Sequence, residues 1–186
     1  MADHAAFLKG INLGRRRLSN DELRGHIQAL GLEDAAIFRA SGNVLFSDPL
    51  ARSDAALAEL IESGLERLLG YEVATFLRSR ADLLEIARTE PFDEATRGRL
   101  SGKLQVMLLG AAPAAAAKRQ VLALSGEDDA LAFGKRELHW LPAGGMSDSS
   151  LDLRALERLL GPRTMRTMGT IEQIASKHFA AGSPPR

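Results

Sequence analysis

Apolar positions along this chain alternate between short runs and helical stripes. Residues 5–11, Ala5-Ala6-Phe7-Leu8-Lys9-Gly10-Ile11, are of strand length and stop at Asn12-Leu13-Gly14, which predicts a buried strand opening into a loop. Ser19 and Glu22 have the spacing of a capping box, with Leu18 and Leu23 placed as a hydrophobic staple, so a helix is predicted from about Asn20. Leu23, Ile27 and Leu30 mark its inner face, and Gly31 supplies a left-handed stop. Residues 36–40 and 44–46 flank Ser41-Gly42-Asn43, whose Gly and Asn tolerate the positive φ angles of a hairpin connection. A second helix with Leu57, Leu60, Ile61, Leu65 and Leu68 on one stripe ends at Gly70, and residues 73–77 form a fourth strand. Ser79 with Asp82 caps a further helix, which Pro91 closes.

From Leu104 the same order recurs. A strand over 104–109 leads to Pro113 at a first helical position, ahead of an Ala-rich stretch to Leu124. A hairpin follows from 131–133 and 138–141, then a helix with Leu153, Leu156, Leu159 and Leu160 ending at Gly161-Pro162, then a strand over 164–168. Thr170 with Gln173 has the spacing of another capping box, opening a last helix through Ile171, Ile174 and Phe179. Each half therefore reads βαββαβ, the split βαβ unit. The expected fold class is α+β: two tandem ferredoxin-like subdomains, each with an extra helix. Their expected extents are residues 1–92 and 103–180, with a charged, Gly-containing linker at 93–102 and a frayed tail at 181–186.

Composition narrows the chemistry. With no Cys among 186 residues there is no disulfide framework, thiolate zinc site or Cys nucleophile, which points to a reducing cytoplasm. No apolar run approaches the ~20 residues of a membrane span, and the first residues are too short and polar for a secretory leader. Lys and Arg number 24 and Asp and Glu number 24, so the formal net charge is zero, where a generic polyanion binder leans basic. Aromatic residues are 5% of the chain, too few for the stacking rings of an RNA-recognition sheet, which argues against nucleic acid as partner. His4, His26, His139 and His178 include no pair at helical spacing, so no metal site is expected, and no cofactor is indicated.

The loop after the first strand is the main candidate for function. Gly10, Asn12 and Gly14 free its backbone, while Lys9, Arg15, Arg16 and Arg17 bring charge just before a helix N-terminus, a combination that suits a phosphate or carboxylate. Neither a Walker loop nor a dinucleotide fingerprint is present. A tight turn with solvated arginines accounts for the same residues. Ser41 and Asn43 can place a hydroxyl and an amide at one end of the sheet, although Ser41 lacks a nucleophile elbow and hairpin chemistry alone explains Gly42 and Asn43. Arg166 occupies a comparable place in the second half. The leading expectation is an anionic small molecule, a nucleotide among the options, held in a cleft between the halves by Lys9, Asn12, Arg15 and Arg166. Competing readings are an enzyme acting on such an anion, a homodimeric interaction module, and weak nucleic-acid binding through Arg15–Arg17.

Three segments, Lys9-Gly10-Ile11-Asn12-Leu13-Gly14, Leu23-Arg24 on to Ala29-Leu30-Gly31-Leu32, and Ser41-Gly42-Asn43-Val44-Leu45-Phe46, together resemble the opening of the bacterial domain of unknown function 1697 family. The likeness continues through Pro91-Phe92, residues 138–160 and residues 163–174. Lys9 and Arg15 stand where that family usually carries Arg and Gly. Met165-Arg166-Thr167-Met168-Gly169-Thr170 stands where it often carries Thr-Arg-Asn-Trp-Asn-Thr, so an aromatic ring is missing at Met168. The resemblance implies two related α+β halves and brings no activity with it.

Overall fold

The computed structural model describes residues 2–12, 18–39 and 42–179. The chain divides into two compact units: one holds Met1–Glu85 and the residues from Gln173 onward, the other holds Ile86–Glu172.

The first unit contains β1 (His4–Lys9), α1 (Asn20–Ala29), β2 (Glu33–Ile37), β3 (Asn43–Ser47), α2 (Asp54–Leu69) and β4 (Ala74–Ser79). Its sheet is antiparallel throughout, in the order β2-β3-β1-β4. Helix α1 starts where the capping box predicts: Ser19 Oγ accepts from Glu22 N, and a Glu22 carboxylate oxygen accepts from Ser19 N at 2.8 Å. Helix α2 is capped by Ser53 and stopped by Gly70. Both helices bury their apolar stripes, Leu23 and Ile27 from α1 with Leu57, Ile61 and Leu65 from α2, against Ala6, Leu8, Val44, Phe46 and Leu77 of the sheet. Each such Val, Leu, Ile or Phe side chain withdrawn from water contributes about 1.5–3 kcal/mol before its entropy cost.

Helix α3 (Arg80–Arg88) carries the chain into the second unit, which contains α4 (Glu94–Arg99), β5 (Gln105–Leu109), α5 (Ala115–Leu122), β6 (Asp129–Phe133), β7 (Glu137–Pro142), α6 (Leu153–Leu160) and β8 (Arg163–Thr167). Its antiparallel sheet has the corresponding order, β6-β7-β5-β8. Met107, Leu138 and Trp140 pack with Val121 of α5, Leu151, and Leu156 of α6. Helix α7 (Met168–Ile174) then runs into a π turn, Ala175–Phe179, which belongs to the first unit. The fold is therefore α+β with two four-stranded antiparallel sheets. No helix among the described residues is long and apolar enough to cross a membrane.

The sheet faces turned away from these cores are buried too. Ala5, Phe7, Leu45, Phe76 and Arg78 are buried on one sheet, and Val106, Leu108, His139 and Leu141 on the other. Two buried faces explain why β1 and β5 read as continuous apolar runs instead of alternating ones.

Three expectations shift. Strand β2 lies at Glu33–Ile37 rather than 36–40, because Phe38 leaves the ladder to close the hairpin, its N–H donating to Asn43 O at 2.9 Å. The expected linker at 93–102 contains α4, capped by Asp93, and the buried Leu100. The last helix begins at Met168, so Thr167 rather than Thr170 supplies the capping oxygen: Thr170 N donates to Thr167 Oγ1 at 3.3 Å. The expected tail at 181–186 lies outside the described residues.

Candidate functional site

At one end of the first sheet, β1 gives way to Gly10, whose φ is 85°. Ile11 O accepts from the Tyr71 hydroxyl at 2.8 Å, and Asn12 Oδ1 accepts from Leu18 N at 3.0 Å, tying the far side of the loop back to its start. The β2–β3 hairpin lies against this segment: Leu8 N donates to Gly42 O at 2.8 Å. Gly42 has φ 68°, and a Cβ there would stand 3.0 Å from Ile11 Cγ2, so both conformation and packing select glycine. Asn43 is buried, and its side-chain amide donates to Phe38 O at 3.0 Å.

Lys9, Gly10, Asn12 and Asn43 therefore share one end of the first sheet, but Asn12 and Asn43 hold their own loops closed. Gly14, Arg15 and Ser41 lie outside the described residues. The α1 N-terminus, expected to present N–H groups to an anion, has two donors engaged internally, Glu22 N by Ser19 and Ser19 N by Glu22. Hydrogen bonds from Ser19 hold the Glu22 carboxyl below its ordinary range.

A second set of residues meets the hairpin from the π turn. The Arg39 guanidinium carbon sits 5.4 Å from the Phe38 ring centroid and Lys177 Nζ sits 5.8 Å from it. The His178 ring meets Phe38 edge-on at 5.9 Å. Arg39, itself at φ 60°, also donates to Gln173 Oε1 at 2.7 Å. Among the described residues no carboxylate pairs with Arg39, Lys177 or His178. Burial, reinforced by the Lys177 charge, holds the His178 imidazole below its usual pKa, so it is neutral at physiological pH. The pattern of the sequence contains no signal for this cluster, since Arg39 and its partner Gln173 are 134 positions apart.

Arg166 stands in the second unit, half-buried on β8 opposite Val106, and donates from one guanidinium nitrogen to Thr164 Oγ1 and Met165 O, both at 2.8 Å. Burial pushes its pKa down to about 10, which leaves it charged at neutral pH. Its structural counterpart is Arg78, buried on β4 opposite Ala5 and donating to Leu77 O at 2.7 Å. The two arginines occupy the same place in the two sheets, the outer strand beside the central one. Counting strands from the start of each half would have paired them from sequence.

The sequence model of a protein family of unknown function, DUF1697, matches residues 1–139, well over half of the chain. The chain belongs to the DUF1697 family. The matched span includes the β1 loop, Phe38 and Arg39, while Lys177 and His178 fall beyond it. Among solved structures, this DUF1697 protein is similar to the conserved bacterial protein SP0830 from Streptococcus pneumoniae. The two are 23% identical with a TM-score of 0.69, and the likeness covers 95% of this chain and 97% of that one, which shows a shared fold. A search of curated proteins finds no match.

Proposed function

We propose that this DUF1697 protein binds a small anionic molecule, a phosphate or carboxylate ligand, at the end of its first unit where Arg39, Lys177 and His178 surround Phe38. The observation that carries the reading is the gathering of two cations, Arg39 and Lys177, and a neutral imidazole about one ring, with no acid to balance them among the described residues. Cation–π contacts with Phe38 offset part of the repulsion between Arg39 and Lys177, about 0.5–1 kcal/mol each at an exposed site. An anion converts the remainder into attraction, and the Arg39 fork supplies bidentate geometry. Lys9 leaves β1 at the same end, and the loop carrying Gly14 and Arg15 begins there. Arg166 is left out, because its guanidinium is engaged with Thr164 and Met165. A catalytic version of the same reading has one observation in its favour: neutral His178 is a group able to accept a proton beside the bound anion. The order βαββαβ and the arrangement β2-β3-β1-β4 support reading each unit as ferredoxin-like. The lack of cysteine supports a cytoplasmic setting.

The test is a thermal-shift screen against inorganic phosphate, sugar phosphates, nucleotides and short RNA at two salt concentrations. One small anion is expected to raise Tm saturably, by the equivalent of about 2.7 kcal/mol at a hundredfold excess over Kd. Arg39→Ala and Lys177→Ala are each expected to remove most of that rise. No response to any small anion, a response to RNA alone that salt erases, or an undiminished response in both variants overturns the proposal.

A further inference from the structure

The second unit has a hollow of about 450 Å³ at the end of its sheet where β5 begins and β7 and β8 finish. Its frame is backbone on backbone. Gly102 N donates to Pro142 O at 3.0 Å, and Ser101 donates from both N and Oγ to Ala143 O at 3.1 and 2.8 Å. A Cβ on Gly102 would overlap the carbonyl oxygens of Pro142 and Gly144, so this approach requires glycine. The opposite rim, from Gly144 to Met146, is braced from behind: Ala143 N donates to Asp128 O at 2.7 Å, and Ser149 Oγ donates to the Asp129 carboxylate.

The lining combines an apolar wall, Pro142 and Met146, with few polar groups. Gln105 is only 5% exposed; its amide N–H donates to Lys103 O at 2.8 Å, while its Oε1 accepts no hydrogen bond among the described residues. The exposed Lys103 ammonium pairs with no carboxylate among them either. Among the described residues no acid lines the hollow, and the neighbouring Asp148 is turned to Gly145 N and Ser147 Oγ.

We infer that this hollow is a second ligand site, distinct from the one around Phe38, for a small organic monocarboxylate bearing a hydroxyl group. Its volume falls in the range of small-molecule sites, roughly 300–1,000 Å³, and its mostly apolar lining with a few convergent polar atoms is typical of them. A single ammonium matches a single negative charge. The carboxylate pairs with Lys103, the hydroxyl donates to the open Gln105 Oε1, and a short aliphatic chain lies along Pro142 and Met146, where the thioether adapts to its shape.

Methyl NMR of the methionines in the full chain tests this, with lactate, α-hydroxybutyrate and α-hydroxyisocaproate as probes and the matching uncharged amides as controls. The expected result is a saturable shift of the Met146 methyl with at least one acid and with none of the amides. Binding is expected to weaken about tenfold or more in Lys103→Ala, a surface change that spares the fold. In Gln105→Leu the advantage of α-hydroxybutyrate over butyrate is expected to vanish. Arg39→Ala is expected to leave the Met146 response unchanged, which separates this site from the first. A Met146 methyl silent to every acid, or a response equal in wild type and Lys103→Ala, overturns the assignment; a hydroxyl preference that survives Gln105→Leu overturns the role of Gln105.

Discussion

Trp140 lies fully buried in β7, and its indole N–H donates to Asp129 Oδ1 at 2.5 Å, while Ser149 Oγ donates to both oxygens of the same buried carboxylate at 2.8 and 2.9 Å. Trp140→Phe keeps an aromatic ring in the core but removes one of the donors that stabilise Asp129. A hydrogen bond to a charged acceptor contributes about 1.5–3 kcal/mol. The volume left unfilled, roughly 40 Å³ at ~24 cal/mol per Å³, adds about 1 kcal/mol. The expected loss is therefore about 2.5–4 kcal/mol. Trp140 is the only Trp in the chain, so wild-type tryptophan fluorescence reports on the second unit alone, whereas the variant must be followed by circular dichroism in urea. The midpoint should fall with an unchanged m-value, and a double-mutant cycle with Asp129→Asn should give a coupling of about 1 kcal/mol or more. A loss under about 1 kcal/mol, or a coupling near zero, would refute the reasoning that the bond from Trp140 to Asp129 stabilises the pairing of β7 with β6.

Two further outcomes concern buried charge. His139 is 1% exposed, neither ring nitrogen has a hydrogen-bond partner among the described residues, and burial lowers its pKa against the opposing influence of Glu137. The unfolded chain then takes up a proton that the folded one resists, so wild-type stability should fall as pH drops below about 6.5, and His139→Leu should lose that part of the dependence; parallel pH profiles would be the contrary result. Asp48 has its pKa raised by burial but lowered further by hydrogen bonds from Arg52 N and Leu50 N and by the Arg52 charge, with a net shift downward. Its contribution is present above the unfolded carboxyl range near ~3.9 and lost as pH falls through the depressed folded value. Asp48→Asn should cost about 1–3 kcal/mol at neutral pH, with the two denaturation curves converging in acid.

Local signals carried far in this chain because they are satisfied locally. The Ser19 and Glu22 box fixes the start of α1 within its own first turn, and Gly70 ends α2 by its own φ of 74°. The structure departs from the pattern where a contact outside the local signal decides. Phe38 belongs to an apolar run that looks like strand, yet it leaves the sheet to meet Lys177 and His178. Thr170 and Gln173 imitate a capping box, but the helix has already begun under Thr167. Arg166, a candidate from its place in the second half, donates from one guanidinium nitrogen to Thr164 Oγ1 and Met165 O, contacts that no pattern in the sequence announces. The basic cluster around Phe38 is assembled from the hairpin and the π turn, and only the fold places them together.

The first unit is interrupted in sequence, and that sets an order of events during synthesis. Its sheet and two packed helices leave the ribosome early, but Gln173, Lys177 and His178, which meet Phe38 and Arg39, are made only after the whole of the second unit. Until then Arg39 has neither its hydrogen-bond acceptor nor the neighbouring Lys177. Because chains fold largely as they emerge, the proposed anion site comes into being only after the second unit has been made. A ligand captured there would favour molecules in which the return segment has docked, a latch on that segment.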